Sequence, residues 1–242
     1  MGSSKLFLTI EAHKPCNPQI ALLDPTKPNT YYHIRGVGDD KFVGERALEF
    51  RFPIEPQKLR ITQYCKNNTK GHFEIKGISH EKWDFNPTPQ PDNVEEFLQF
   101  AQDFSHKAGY LKIGTYFSKT GKYKINFKPE ITDPETGKVV NTPAWVNHAT
   151  GLIEVREKEF KYLTVTNRML VLCHEFSHFI LNTRDEFLAD KCGADLMINR
   201  GYSPIECVYA LIRLFGDVPD DKFYPYEKRI IALQNHLSLV ES

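Results

Sequence analysis

A chain of 242 residues with 40% hydrophobic side chains is long enough to bury a real core, which excludes a disordered or fibrous protein. Its 31 basic and 31 acidic residues cancel, so no global field steers it toward nucleic acid or an anionic membrane, and neither is expected as a partner. No run of about eighteen apolar residues occurs, and the opening MGSSKLFLTIEAHK lacks the apolar core of a secretion signal, so neither a membrane span nor a leader is expected.

The five cysteines are Cys16, Cys65, Cys173, Cys192 and Cys207. They are odd in number, scattered and without a Cys-x-x-Cys pair, which points to a reducing, cytoplasmic compartment rather than a disulfide framework.

From Leu6 to about Phe85 short alternating runs (KLFLTI, YYHIRGV, RALEFRF, KLRITQY, HFEIKGI) are separated by Pro, Gly, Asn and Asp clusters. Residues 1–86 therefore read as an all-β module, for which a small sandwich is one arrangement. Its histidines, His13, His33, His72 and His80, are dispersed and read as surface or strand-end residues. The module shows no chemistry of its own; binding a protein partner is the role left for it.

The segment NPTPQPD places three prolines in seven residues, so residues 87–91 read as a connector, and 92–242 as a second domain. Asp92-x-x-Glu95 offers a capping box for a helix with Val94, Phe97, Leu98, Ala101 and Phe104 on its apolar face, ending near Gly109. YLKIGTYF and KYKINF follow as a hairpin, then the strand GLIEVRE.

Asn167 to Leu181 has the length of a four-turn helix, with Thr166 or Asn167 as N-cap and apolar residues around most of its circumference. Burying His174, Glu175 and His178 there costs several kcal/mol, in order of magnitude, unless strong partners satisfy them. The two histidines are four apart and leave one face, a spacing that suits joint capture of a tetrahedral Zn2+. Glu175 projects about 100° away, where it can act as general base on a metal-bound water without occupying a coordination position.

Catalytic zinc normally has a third protein ligand. DEFLADKCGADLMINRG reads as a further helix, folding back through the turn at Asn182 to Arg184, with small Ala189 and Gly193 allowing close approach. Glu186 is the expected third ligand, Asp190 or Asp185 the alternatives. Thr183-x-x-Glu186 is also a capping box, but Asn182 and Asp185 at the same spacing leave Glu186 free. If Glu186 binds, Asp190 orients an imidazole. SPIE, Ser203 to Glu206, starts another helix, closed at Gly216. Cys173 and Cys192, flanking the site, read as small buried hydrophobes.

HEFSH followed by EFLAD resembles the gluzincin peptidases, particularly the group of CAAX prenyl and heat-shock endopeptidases. FYPYEKRIIAL, with Tyr224-Pro225 and Arg229-Ile230, is similar to their downstream segment, although Tyr224 stands where that family has histidine. The resemblance covers roughly 145–239, departs in its short His178 to Glu186 gap and its lack of membrane helices, and resembles the compact metallopeptidases of phages and other mobile elements, for which a host cytoplasm would be the location.

The resemblance implies an α+β, zincin-like metallopeptidase domain, with a small sheet, an active-site helix and C-terminal helices, behind the all-β module. The expected activity is zinc-dependent endopeptidase cleavage of a protein or peptide substrate. His174, His178 and Glu186 hold Zn2+ and Glu175 is the base; Tyr224, ahead of His148 and Tyr162, steadies the oxyanion. GLIEVRE is the expected edge for an extended substrate. The competing expectation is a non-catalytic structural or adaptor protein stapled by zinc; a hydrolase of non-peptide amides fits the same residues.

Overall fold

In the computed structural model, described for residues 2–37, 42–65, 73–133, 136–215 and 220–238 (backbone alone at 16 and 220–225), an all-β region precedes a mixed sheet and, among the described residues, six helices. The architecture is α+β. The chain clusters into two compact units, Met1–Pro87 with Gly201–Ser203, and Thr88–Arg200 with Pro204–Ser242.

The first unit holds β1 (Ser3–Cys16), β2 (Pro18–Leu23), β3 (Tyr31–Gly36), β4 (Phe42–Phe52), β5 (Arg60–Cys65) and β6 (Phe73–Trp83). They form two antiparallel sheets, ordered β4-β1-β6 and β3-β2-β5. Strand β1 alternates as its sequence dictates, with Leu6, Leu8, Ile10 and Ala12 buried. Strand β2 has no place among the five expected runs, because central Ile20, Ala21 and Leu22 are all buried and a continuous apolar run carries no period-two signal. Rings of the two sheets meet, Tyr32 on Phe52 at 5.7 Å and His33 on Phe50 at 5.4 Å.

His33 is thus a core residue rather than a surface one; burial, then the charge of Arg35, pushes its pKa down to about 3 and keeps it neutral. His72 and Gly216 lie outside the described residues.

The second unit begins with α1 (Asp92–Lys107), followed by β7 (Gly114–Phe117), β8 (Lys124–Lys128), β9 (Ile131–Thr132), β10 (Val139–Val140), β11 (Ala144–Val146), β12 (Ile153–Arg156) and α2 (Glu157–Phe160). After them come α3 (Val165–Ile180), α4 (Glu186–Ile198), α5 (Pro204–Phe215) and α6 (Asp220–Ser238). The expected capping box of α1 does not form: Pro91 is the N-cap, with no side-chain cap bond, and Glu95 instead binds Arg200 at 2.6 Å.

The four-stranded sheet runs β11-β12-β8-β7, with β12 parallel to β8 and the other pairs antiparallel. Phe97 of α1 stacks on Phe176 of α3 at 3.7 Å, and Tyr123 meets Phe176 edge-on at 5.5 Å. Helices α4 and α5 pack on α3, and α6 on α4 and α5.

Helix α3 starts earlier than its sequence suggests, because Thr164 is the N-cap, accepting from Asn167 N–H at 3.1 Å. One turn on, fully buried Arg168 donates to the carbonyls of Phe160, Ser105 and Lys161 at 3.1, 2.9 and 2.6 Å. The guanidinium thereby ties the ends of α1 and α2 to the base of α3, completing acceptors at helix C-termini that favour a cation. Arg168→Met leaves those carbonyls short of donors in a dry interior, and a loss of about 3 kcal/mol in unfolding free energy is expected. Urea unfolding followed by tryptophan fluorescence measures it; an unchanged midpoint would contradict the structural role.

Candidate metal centre

Helix α3 is apolar nearly all round and buried from Val165 through Cys173. On its one polar stripe His174 and His178 bring their Nε2 atoms 3.0 Å apart. Glu186, first residue of α4, places Oε2 at 3.3 Å from His174 Nε2 and Oε1 at 3.5 Å from His178 Nε2. An ion with bonds of about 2.0–2.1 Å in tetrahedral geometry separates its ligand atoms by about 3.3 Å. The three side chains are spaced for such an ion, and no fourth His, Cys, Asp or Glu joins the group among the described residues.

The other ring nitrogens fix which atoms face inward. His178 Nδ1 donates to the Thr183 carbonyl at 2.9 Å. His174 Nδ1 lies 2.9 Å from Asp190 Oδ1, somewhat off the line of an ideal hydrogen bond. With His178 Nδ1 bonded and His174 Nδ1 facing Asp190, neutral rings would leave both Nε2 atoms as acceptors beside a carboxylate, an arrangement that repels itself unless a proton or a metal cation joins it.

The protonation equilibria report the same demand. Burial is the largest influence on His174 and lowers its pKa, yet Asp190 and Glu186 overcome this and carry it up to about 9. The two imidazoles hold Glu186 far below the usual carboxylate range.

Local sequence builds the turn that delivers Glu186. Asn182, at φ 46°, ends α3 with its N–H on the Phe179 carbonyl at 3.3 Å, while Thr183 N–H reaches the His178 carbonyl at 3.1 Å, the paired bonds of a Schellman closure. Asp185 then caps α4, accepting from the N–H groups of Phe187 and Leu188 at 2.8 and 3.2 Å. Neither expected capping box forms; Asp185 itself is the cap, so it is no ligand and Glu186 is free.

Close approach of the helices depends on Gly193, where an added Cβ would lie 3.0 Å from His174 N and 3.2 Å from its Cα. Arg229 of α6 reaches both acids of α4 and lines the cleft with them. Its Nε and Nη2 each reach Asp190 at 2.7 Å, and Nη1 reaches Glu186 at 2.8 Å. Sequence reasoning noted Arg229 only as part of a similar segment; pairing across 39 residues leaves no periodic trace.

Glu175 stands beside the group without joining it. Burial, the largest effect, raises its pKa to about 7 against the opposing pull of the two imidazoles and a bond from Val146 N–H. It lines a cleft of about 880 Å³ together with the triad and β11. Strand β12 is not the edge it was expected to be: it is sandwiched between β11 and β8, and β11 is the edge on the cleft. A four-residue strand rich in apolar residues looks alike at an edge and in an interior.

Of the candidate oxyanion groups, His148 lines the cleft, its ring 5.9 Å from that of His178. Tyr162 is 66% exposed and is not among the cleft residues. The side chain of Tyr224 lies outside the described residues, although its backbone belongs to α6.

No model of a known protein family matches the chain, and no curated protein matches it.

In the first unit Glu11, His13 and Glu74 also converge, although the sequence shows no constellation there. Lys76 Nζ sits 3.0 Å from Glu11 and 2.9 Å from Glu74, so a resident ammonium already neutralises that exposed cluster. Cys173 and Cys207 are buried and Cys192 half-buried, none of the three in a disulfide, and burial raises each thiol pKa.

Two outcomes are expected of the centre. Glu186→Ala should weaken zinc binding at least about tenfold, whereas Asp185→Ala should cost about 1 kcal/mol of stability as a lost cap and leave zinc affinity nearly unchanged; competition with a chromophoric chelator and thermal unfolding separate the two. Gly193→Ala should push α4 off α3, lowering both zinc affinity and thermal stability, by about 1–3 kcal/mol for the latter. Wild-type values for that variant would show that the helices do not need the glycine.

Proposed function

We propose that the unit Thr88–Arg200 with Pro204–Ser242 is a zinc-dependent endopeptidase of zincin-like architecture, in line with its resemblance to gluzincins. The observation that carries the reading is two imidazole Nε2 atoms 3.0 Å apart, each within 3.5 Å of a Glu186 carboxylate oxygen, beside a buried carboxylate that stays out of the group. A purely structural zinc site has no need of Glu175 and would prefer a fourth protein ligand.

His174, His178 and Glu186 would hold the zinc. When bound, the ion supplies Lewis acidity toward a carbonyl and lowers the pKa of a water to near neutrality. Glu175, held by Val146 N–H, accepts that water's proton and delivers it to the departing amine. Asp190 keeps the His174 ring turned so that Nε2 faces the ion, and the Thr183 carbonyl does so for His178.

Arg229 restrains both Asp190 and Glu186. Tyr224, on the helix that carries Arg229, is assigned the oxyanion role. The substrate lies extended along β11. The backbone bonds from Asn147 N–H to Leu152 and from Arg156 N–H to Pro143 fix which residues of that strand face β12, so Ala144 and Val146 turn toward the cleft. A cytoplasmic location belongs to the same reading.

Glu175→Gln keeps the shape of the side chain but cannot take a proton. Zinc content and fold should survive while cleavage of a proteome-derived peptide library, read as new termini by mass spectrometry, falls by about two to four orders of magnitude. Equal yields of new termini from both proteins would remove Glu175 from the mechanism.

A further inference from the structure

The cleft has two chemically different ends, and α3 and β11 order them in the same direction. Val146 N–H reaches Glu175, and two residues later the His148 ring stands 5.9 Å from His178. On α3 one turn before His174, Leu170 and Val171 line the cleft, joined by Leu211, Leu214 and Phe215 of α5, with the Arg229 guanidinium 4.9 Å from the Phe215 ring. Arg184, which follows His178 in the chain, and His148, beside the His178 ring, also line the cleft.

Arg184 is an exposed cation on the closure between α3 and α4, next to Thr183, whose carbonyl holds His178. Arg184 and His148 both line the cleft, and after burial and His178 the charge of Arg184 helps hold the His148 pKa down. The acidic side chains nearby are already engaged: Glu186 with both histidines and Arg229, Asp190 with His174 and Arg229, and Asp185 in the α4 cap. Glu175 is buried and held by Val146 N–H. Among the described residues Arg184 has no ion pair.

His148 is held in place by its turn. Asn147 Oδ1 accepts from the N–H groups of Ala149 and Thr150 at 3.0 and 3.1 Å. Gly151, at φ 69°, sits so close to Phe179 that a Cβ would come within 2.9 Å of the ring.

We propose that Arg184 and His148 form a subsite for a carboxylate of the peptide, on the His178 side of the bond to be cleaved. A guanidinium offers a planar fork of donors that matches a carboxylate, and the imidazole adds one further N–H. The carboxylate comes from an Asp or Glu side chain or from a peptide C-terminus. The apolar wall at the other end accepts an uncharged side chain, so the cleft reads a substrate by polarity across the reacting bond. This inference deepens the endopeptidase reading and rests on it for the meaning of the two ends.

The test uses the full chain carrying Glu175→Gln, loaded with zinc so that peptides bind without turnover, and fluorescence anisotropy with synthetic peptides. One set is C-terminally amidated with internal Asp or Glu, a second has Asn or Gln at those positions, and a third carries a free C-terminal carboxylate as its only acid. Binding of the first or third set about fivefold tighter than the second is expected, and the set that gains identifies the source. Adding Arg184→Glu should reverse the preference toward Lys-containing peptides, and Arg184→Gln should flatten it.

Equal binding of all three sets, or a preference unmoved by Arg184→Glu, overturns the subsite. Cleavage of the same peptides by the protein with Glu175 intact is scored separately. Acid-selective binding without cleavage supports the subsite and sinks the endopeptidase reading, cleavage without acid selectivity does the reverse, and absence of any binding overturns both.

Discussion

Two imidazoles and a carboxylate that converge on the cleft wall where α3 meets α4 are the constraint around which the second unit is organised. Two imidazole nitrogens 3.0 Å apart and a carboxylate within 3.5 Å of both cannot be tolerated without positive charge between them. Positive charge at the group, from protonated His174 or from a bound cation such as zinc, would offset the cost of placing these polar residues in an apolar helix.

Such a site works only if its parts cannot drift. Helix α4 must lie against the backbone of α3, and Gly193 permits this at His174 itself. The asparagine-centred closure of α3 and the Asp185 cap set where Glu186 begins. Arg229 then ties the far helix to both acids of α4 through charge-assisted bonds. Its guanidinium lines the cleft beside them. At the base of α3, Arg168 does comparable work with carbonyls instead of carboxylates, anchoring the helix that carries both histidines.

Some of this was legible in the residues themselves. The His174, Glu175 and His178 spacing, the small residues Ala189 and Gly193 and the short turn after His178 led to Glu186 and Asp190 in the positions they occupy. The alternation of β1 and the hairpin of β7 with β8 were equally plain. Other features were hidden. Strand β2 shows no alternation, since a central strand is covered on both faces. His33 looks like any strand histidine until Phe50 and Phe52 close over it. The Glu11, His13, Glu74 and Lys76 cluster exists only because β1 and β6 pair with Glu11 opposite Glu74.

By itself the sequence determined what local rules can determine: which residues share a helix face, where turns interrupt the chain, and which polar groups in an apolar helix demand partners. Only the tertiary structure decided which partners they meet. Asp185 rather than Thr183 caps α4 because backbone dihedrals at the turn select it. Strand β11 rather than β12 borders the cleft because β12 pairs in parallel with β8, a choice between distant segments. Arg229 reaches Asp190 because α6 packs on α4. Each of these depends on contacts between residues far apart in the chain, whose energies no short-range periodicity records.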